Sequence, residues 1–499
     1  MMQSRCSNVH NMEKHQVFKI RLLWDKIDKL LHLKDSHVKG LNYIPISNSV
    51  HLGEDHKLHL TFKSKYNYDL YNDFGRVLPN IELQNNDDTY VIPHGHAAYD
   101  DNMMTLSNKE QELDIKINRI YYGNLREGSN YYWRYIYPIK LSRWFLQIES
   151  LIYIDEDGKH VGSSYLKTIL GNSDMHIFLT ERKDDCYMVI QSGSKIDSDE
   201  MYKRVFAITT TIGLVTGNIV GDYNIQMTSD DKDFDAIKSM VFGTLEETKY
   251  SYYRIVNNRW KDTYEMLGQY GYQKYAQKMI KDNVYDPKSD YDNKLVKATV
   301  IDRLMNLCYS NNDIVISASM LLEGSMLKMI YQPAFFHIVL ETITSALMRS
   351  EMVEKKSVIE SKEYNRIVKP VLLNALGSIK EIPNDAKNIY THRIESSLNS
   401  PANKDKLTLF FEKYGYVLTN GDKEAISQRN STLHGHLSNM KRELSEQRWK
   451  MYAVALRLHK LCCILLLKAA GFTGDILNNE VILGVKEACE RKDSPFLNI

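Results

Sequence analysis

Residues 17 to about 245 alternate apolar and polar positions in short runs, the period of strands that rest one face on a core. The runs 57–62, 113–118, 150–154, 175–180 and 186–191 each carry it. The last two frame 181–185, and Glu156-Asp157-Gly158-Lys159 is a second turn sequence, so two hairpins are predicted. The stretch 208–221 mixes β-branched residues with glycines and reads either as strands with bulges or as a buried helix. From about Lys249 the apolar spacing changes to three and four. Helices are predicted over 252–266, 293–307, 334–348 and 449–470. In the last, Met451, Val454, Ala455, Leu458, Leu461, Cys462, Leu465 and Ala469 mark one face. Pro333 stands at the first position of the helix over 334–348. The polar, proline-containing stretch 286–292 is the expected linker, and Gln332-Pro333 a second break.

This pattern predicts an α+β chain. A β-rich domain over 1–245, sandwich or barrel-like, precedes a helical connector over 246–310 and an all-α domain over 311–499. With 499 residues the chain is long enough for two or three domains. Net charge is +1, so attraction to nucleic acid needs a local basic patch. Lys404, Lys406, Lys413, Lys441, Arg442, Arg448 and Lys450 are the candidates; the competing reading is a solvated helix face. The six cysteines lack C-x-x-C spacing, which argues for a reducing compartment, and Cys462-Cys463 reads as two small buried hydrophobes. No secretory signal is visible. The longest apolar run, 461–467, is too short to span a bilayer, so a cytoplasmic protein without a membrane partner is expected.

The candidate chemistry sits in Arg429-Asn430-Ser431-Thr432-Leu433-His434-Gly435. Imidazole moves protons near neutral pH, guanidinium holds a phosphate by a planar fork, and an amide can fix either partner. Five residues turn a helix by about 140°, so Arg429 and His434 do not share a face, whereas Asn430 and His434 do. Either Arg429 lies just before a helix and reaches back, or Asn430 or Ser431 caps one. In the capped case His434 falls in a first turn, where the dipole favours neutral imidazole.

The pattern R-N-x-x-x-H-G resembles the signature of the HEPN superfamily, small helical domains of which many are ribonucleases. Leu340-Glu341 in the helix over 334–348 resembles the first-helix pattern of HEPN domains in ApeA-type anti-phage proteins. The resemblance covers about the last third of the chain; for the β-rich part it is one of architecture. It implies RNA cleavage with neither metal nor other cofactor. His434 would take a proton from a ribose 2′-hydroxyl, leaving 2′,3′-cyclic phosphate and 5′-hydroxyl ends. Arg429 would neutralise the phosphorane, Asn430 would orient the phosphate or His434, and Glu341 would orient Arg429. It also implies a homodimer through the C-terminal domain with a second His434 as general acid, tRNA as substrate, and phage defence by disabling translation. A trigger or regulatory partner would then act on the β-rich domain. The alternative is a non-catalytic helical module that dimerises or binds RNA or a partner.

Two other patterns compete. Glu181-Arg182-Lys183, with Asp155, Asp157 and Asp174 upstream, loosely matches a metal-dependent nuclease, but it falls where a charged turn is expected. His94-Gly95-His96 could present two imidazoles on one side of a strand, with no third ligand evident. No phosphate-binding G-x-x-x-x-G-K-[ST] loop and no G-x-S-x-G elbow occur.

Overall fold

The computed structural model of the chain describes residues 17–41, 45–65, 78–86, 88–100, 105–107, 110–123, 128–139, 151–155, 160–182, 185–251, 253, 255, 281, 296–350, 358–399, 403–433, 444–485, 488, 490–491, 493–494 and 496–499. They fall into two compact units, Met1–Val315 and Ile316–Ile499. Antiparallel sheet dominates the first and helix the second, an α+β arrangement.

In the first unit the larger sheet has twelve strands among the described residues. Its middle runs His160–Leu170, Ser173–Arg182, Asp185–Ser192, Tyr132–Ile139, Tyr223–Ser229 and Ser239–Thr244. The predicted hairpin at 181–185 is present, Arg182 pairing with Asp185, and so is the one after Ile154, which pairs with His160. The smaller sheet orders Ser47–Leu52, Leu58–Lys65, Glu110–Ile117 and Ala97–Tyr99. One apolar cluster takes alternate residues of both sheets, including Leu58, Leu60, Phe62, Leu113, Ile115 and Ile117 from the smaller and Ile81, Leu83, Tyr90 and Ile92 from the larger. Burying one face of each sheet on a common core is what the period of two encodes.

Among the described residues up to about 245, two helices stand in this otherwise β-rich stretch. α1 (Arg21–Leu31) lies in the stretch read as mostly strand, yet Leu23, Ile27 and Leu30 recur at helical steps and enter the core. α2 (Ser198–Thr216) makes the first part of the ambiguous 208–221 stretch a buried helix, and Asn218–Ile219 beyond it is a short strand paired with Lys249–Tyr250. Asp197 caps the N-terminus of α2 by accepting from Glu200 N at 2.8 Å, and Gly217, at φ 75°, closes its C-terminus where other residues would be strained. Of the expected connector, α3 (Ala298–Ser310) packs on α2 and on the strand His160–Leu170. Thr168 Oγ1 donates to Asp302 there at 2.5 Å. The expected linker 286–292 and most of the helix over 252–266 lie outside the described residues.

α4 (Asn312–Gly324) begins in the first unit and ends in the second, which contains α5 (Gln332–Ser350), α6 (Lys369–Ser378), α7 (Asn384–Ser396), α8 (Asn403–Lys413), α9 (Asn420–Ser427), α10 (Arg429–Leu433), α11 (Leu444–Ala469) and α12 (Asn479–Ile482). α5 and α11 are the central pair of the second unit. Phe336, Val339, Leu340 and Ile343 on one, and Leu458, Leu461, Cys462 and Leu465 on the other, are all fully buried. The unit is not all-α: Asp475–Leu477 pairs antiparallel with Phe496–Asn498, two strands too short to show a period of two in sequence. Among the described residues no helix is long and apolar enough to cross a membrane.

Candidate functional site

α10 follows α9 after a single residue, Gln428, and packs on α5. This brings together Arg429, which opens α10, and Glu341, in the middle of α5 and 88 residues away. Arg429 donates from Nε to Glu341 Oε1 and from Nη2 to Oε2, the latter at 3.0 Å. A two-pronged pair of this kind fixes the plane of the guanidinium as well as its position. The side chains are 25% and 32% exposed, so the pair sits where solvent and a ligand can reach it.

The placement of α10 begins in a capping box one helix earlier. Thr419 accepts from Asp422 N, and Asp422 Oδ2 accepts from Thr419 N at 3.0 Å. Asp422, fully buried, also pairs with Lys460 Nζ at 2.9 Å. Lys460 pairs with Glu480 at 3.1 Å, and Glu480 accepts from Arg457 Nε at 2.8 Å. Two cations and two carboxylates thus tie α9, α11 and α12 together with no net charge. Burial alone would lower the Lys460 pKa, but Asp422 and Glu480 outweigh it and hold the ammonium charged. Because α10 starts at Arg429, neither Asn430 nor Ser431 caps it; both lie inside the helix.

One turn before Glu341, on the same face of α5, lies His337. It is fully buried, and neither ring nitrogen has a hydrogen-bond partner among the described residues. Burial, aided by the nearby Arg429 cation, lowers its pKa to about 4, so the ring is neutral at pH 7. Sequence reading missed it, although its spacing of four from Glu341 is the one signal available. His434, Gly435, His436 and the side chain of Asn430 lie outside the described residues. Of the basic residues singled out, Lys413, Arg448 and Lys450 are exposed and Lys406 half-buried. Lys441, Arg442 and the Lys404 side chain lie outside. Cys462 and Cys463 are buried as expected, and burial pushes both thiols up.

The competing patterns do not assemble among the described residues. Glu181 and Asp174 occupy opposite ends of one strand, seven steps or about 23 Å apart, and Asp174 pairs with Lys167 at 3.0 Å. Lys183 and Asp157 lie outside. His94-Gly95-His96 forms a turn rather than a strand: His94 is exposed, and Gly95 has φ 79°. The metal-type donors that do converge among the described residues are His59, Asp100 and Asp114, in the smaller sheet. Burial works against a charge on His59, but hydrogen bonds to Asp114 and Asp55 prevail and raise its pKa. Sequence reading missed this cluster because the strand register, and nothing in the local sequence, makes it.

No protein-family model matches the chain, and no curated protein and no solved structure matches it either.

Proposed function

We propose that the second unit is a HEPN-like helical bundle acting as a metal-independent endoribonuclease. The observation that carries this reading is the fork between Glu341 and Arg429. A cation meant to meet a phosphate must present its N–H donors in a fixed plane, and a carboxylate on a neighbouring helix supplies that plane. His434, five residues on, would act as a neutral base on a ribose 2′-hydroxyl. Attack of that oxygen on phosphorus breaks the bond to the 5′-oxygen, giving 2′,3′-cyclic phosphate and 5′-hydroxyl ends. Arg429 would stabilise the charge that builds on the phosphorane, and Asn430 would orient phosphate or base. A second protomer, facing the first, would supply the general acid. The first unit would sense a trigger or restrain the nuclease, and phage defence by cleavage of tRNA follows from the same family likeness.

The direct test is to sequence RNA ends after expression of the wild type and of His434→Ala. Cleaved RNA with 5′-hydroxyl ends in the first and none in the second supports the proposal. Identical RNA in both removes it and leaves a helical module that binds RNA, a partner or its own copy.

A further inference from the structure

The smaller sheet turns one face to the core and a second, polar face away from it. Leu58, Leu60 and Phe62 of one strand and Leu113, Ile115 and Ile117 of the next fill the core face. Alternation therefore puts His59, Thr61, Asp114 and Lys116 on the other. A polar sheet face is usually wet, yet His59 is 7% exposed and Asp114 2%. Register sets His59 opposite Lys116 and Thr61 opposite Asp114. On the far side of the same strand, Asp100 N donates to Asp114 O at 2.9 Å, which brings the Asp100 side chain alongside. Ligand atoms of His59, Asp100 and Asp114 lie within 4.8 Å of one another.

Each of these three groups is held from behind by a separate partner. His59 turns Nδ1 to Asp114 and its other nitrogen, Nε2, to Asp55 Oδ1 at 3.0 Å. Thr61 Oγ1 donates to the second oxygen of Asp114 at 3.1 Å. Lys116 Nζ sits on Asp100 Oδ2 at 2.8 Å. Outer partners that fix the ring's orientation and aim each carboxylate are the usual company of metal ligands.

We propose that His59 Nδ1, with a carboxylate oxygen each from Asp114 and Asp100, forms a binding site for one divalent cation of the zinc type. One imidazole and two carboxylates form a mixed nitrogen–oxygen set; an all-oxygen set would point to magnesium or calcium. Two atoms each about 2.1 Å from one ion stand roughly 3–4 Å apart, so binding requires His59 Nδ1 and Asp114, now in hydrogen-bond contact, to part and the Asp100 carboxylate to come within that range of both. Neutral imidazole and two carboxylates balance the ion's charge. On binding, the ion takes the place of the proton that otherwise bridges His59 Nδ1 and Asp114, and that proton leaves to solvent. Three protein ligands leave further coordination positions for water or a ligand. The site shares no residue with the Arg429 group and does not depend on the ribonuclease reading.

The test uses the full chain, stripped with a chelator and dialysed against Zn²⁺, with bound metal counted by mass spectrometry and affinity read by calorimetry. One ion per chain is expected. Asp100→Asn and Asp114→Asn should each weaken binding at least tenfold, and Thr61→Val about tenfold through loss of an outer partner. His59 is buried enough that His59→Ala could fail to fold. Asp100→Asn, at a half-buried position and with its circular dichroism checked against wild type, keeps the test decisive. Absence of a stoichiometric ion in wild type, or affinity unchanged in both aspartate variants, overturns the proposal and assigns the cluster to an internal ion-pair network. Binding that persists in His434→Ala shows the site standing whatever that variant does to RNA.

Discussion

Arg429 and Glu341, 88 residues apart, meet through two parallel donor–acceptor contacts, Nε to Oε1 and Nη2 to Oε2. At about a quarter and a third exposed, such a pair adds under about 1 kcal/mol to stability, so its value lies in geometry. Glu341→Ala should leave the unfolding midpoint almost unchanged. RNA turnover should fall about 10- to 100-fold in kcat, without a rise in KM, because the cation remains but loses its orientation. Steady-state kinetics on a labelled RNA reads this; unchanged kcat would make the fork merely structural.

The buried histidines of the second unit set a pH dependence. His337 and His459 have pKa values lowered to about 4 and about 3, chiefly by burial, against about 6.5 in an unfolded chain. The unfolded state therefore binds protons first as pH falls. Stability from these groups is complete above pH 6.5 and is lost on acidification toward the folded values. His337→Leu should shrink the loss of stability between pH 7 and pH 5 by about 2 kcal/mol. Urea unfolding of the full chain at the two pH values measures it, and an unaltered difference would mean that His337 finds a proton acceptor in the folded state.

Lys460 stands between two carboxylates that have little access to water, Asp422 and Glu480. Lys460→Met would leave Asp422 buried without its cation while Glu480 keeps Arg457. The expected cost is about 3–5 kcal/mol, visible in chemical unfolding. The double change Lys460→Met with Asp422→Asn should recover part of that loss, since the stranded charge goes with it.

The hairpins were legible because strands exposing one face write their period into the sequence, as Leu58-His59-Leu60-Thr61-Phe62 does. α2 was legible only as one of two alternatives, since from Thr210 to Thr216 every residue is buried and no face is left to mark a period. α1 was hidden by its setting: eleven residues with helical spacing stood inside a run of strands. The Glu341–Arg429 meeting could be anticipated only through family likeness, because two helices far apart in sequence make it. His59 and Asp114 offered no such aid. They are 55 residues apart, and only the register that sets Thr61 against Asp114 brings them together.

The site proposed for RNA cleavage would be composite and so would require two copies of the second unit, an isologous contact setting like residues opposite each other. Light scattering across a dilution series should therefore show a dimer, with specific activity falling as it dissociates. A monomer fully active at every concentration would count against a site shared between protomers.

The sharpest expectation concerns Arg429 and His434 together. RNA cleavage should persist in excess EDTA, because the proposed groups supply their own proton transfer and positive charge. Chelation that abolishes cleavage, with Mg²⁺ restoring it, would turn attention to acidic residues instead. Arg429→Ala and His434→Ala should each remove cleavage. Arg429→Lys should lose about 10²–10³ in rate, since an ammonium keeps the charge but cannot keep one fork on Glu341 and the same plane toward a phosphate. The double variant should be little worse than either single one, as groups acting as a unit are not additive. His436→Ala, two residues beyond His434, serves as the internal control and should keep most activity. If His436→Ala is inactive while His434→Ala cleaves normally, the wrong imidazole has been assigned. If both cleave normally, the likeness of this segment to a ribonuclease motif is accidental, and Glu341 and Arg429 are an ion pair between two helices.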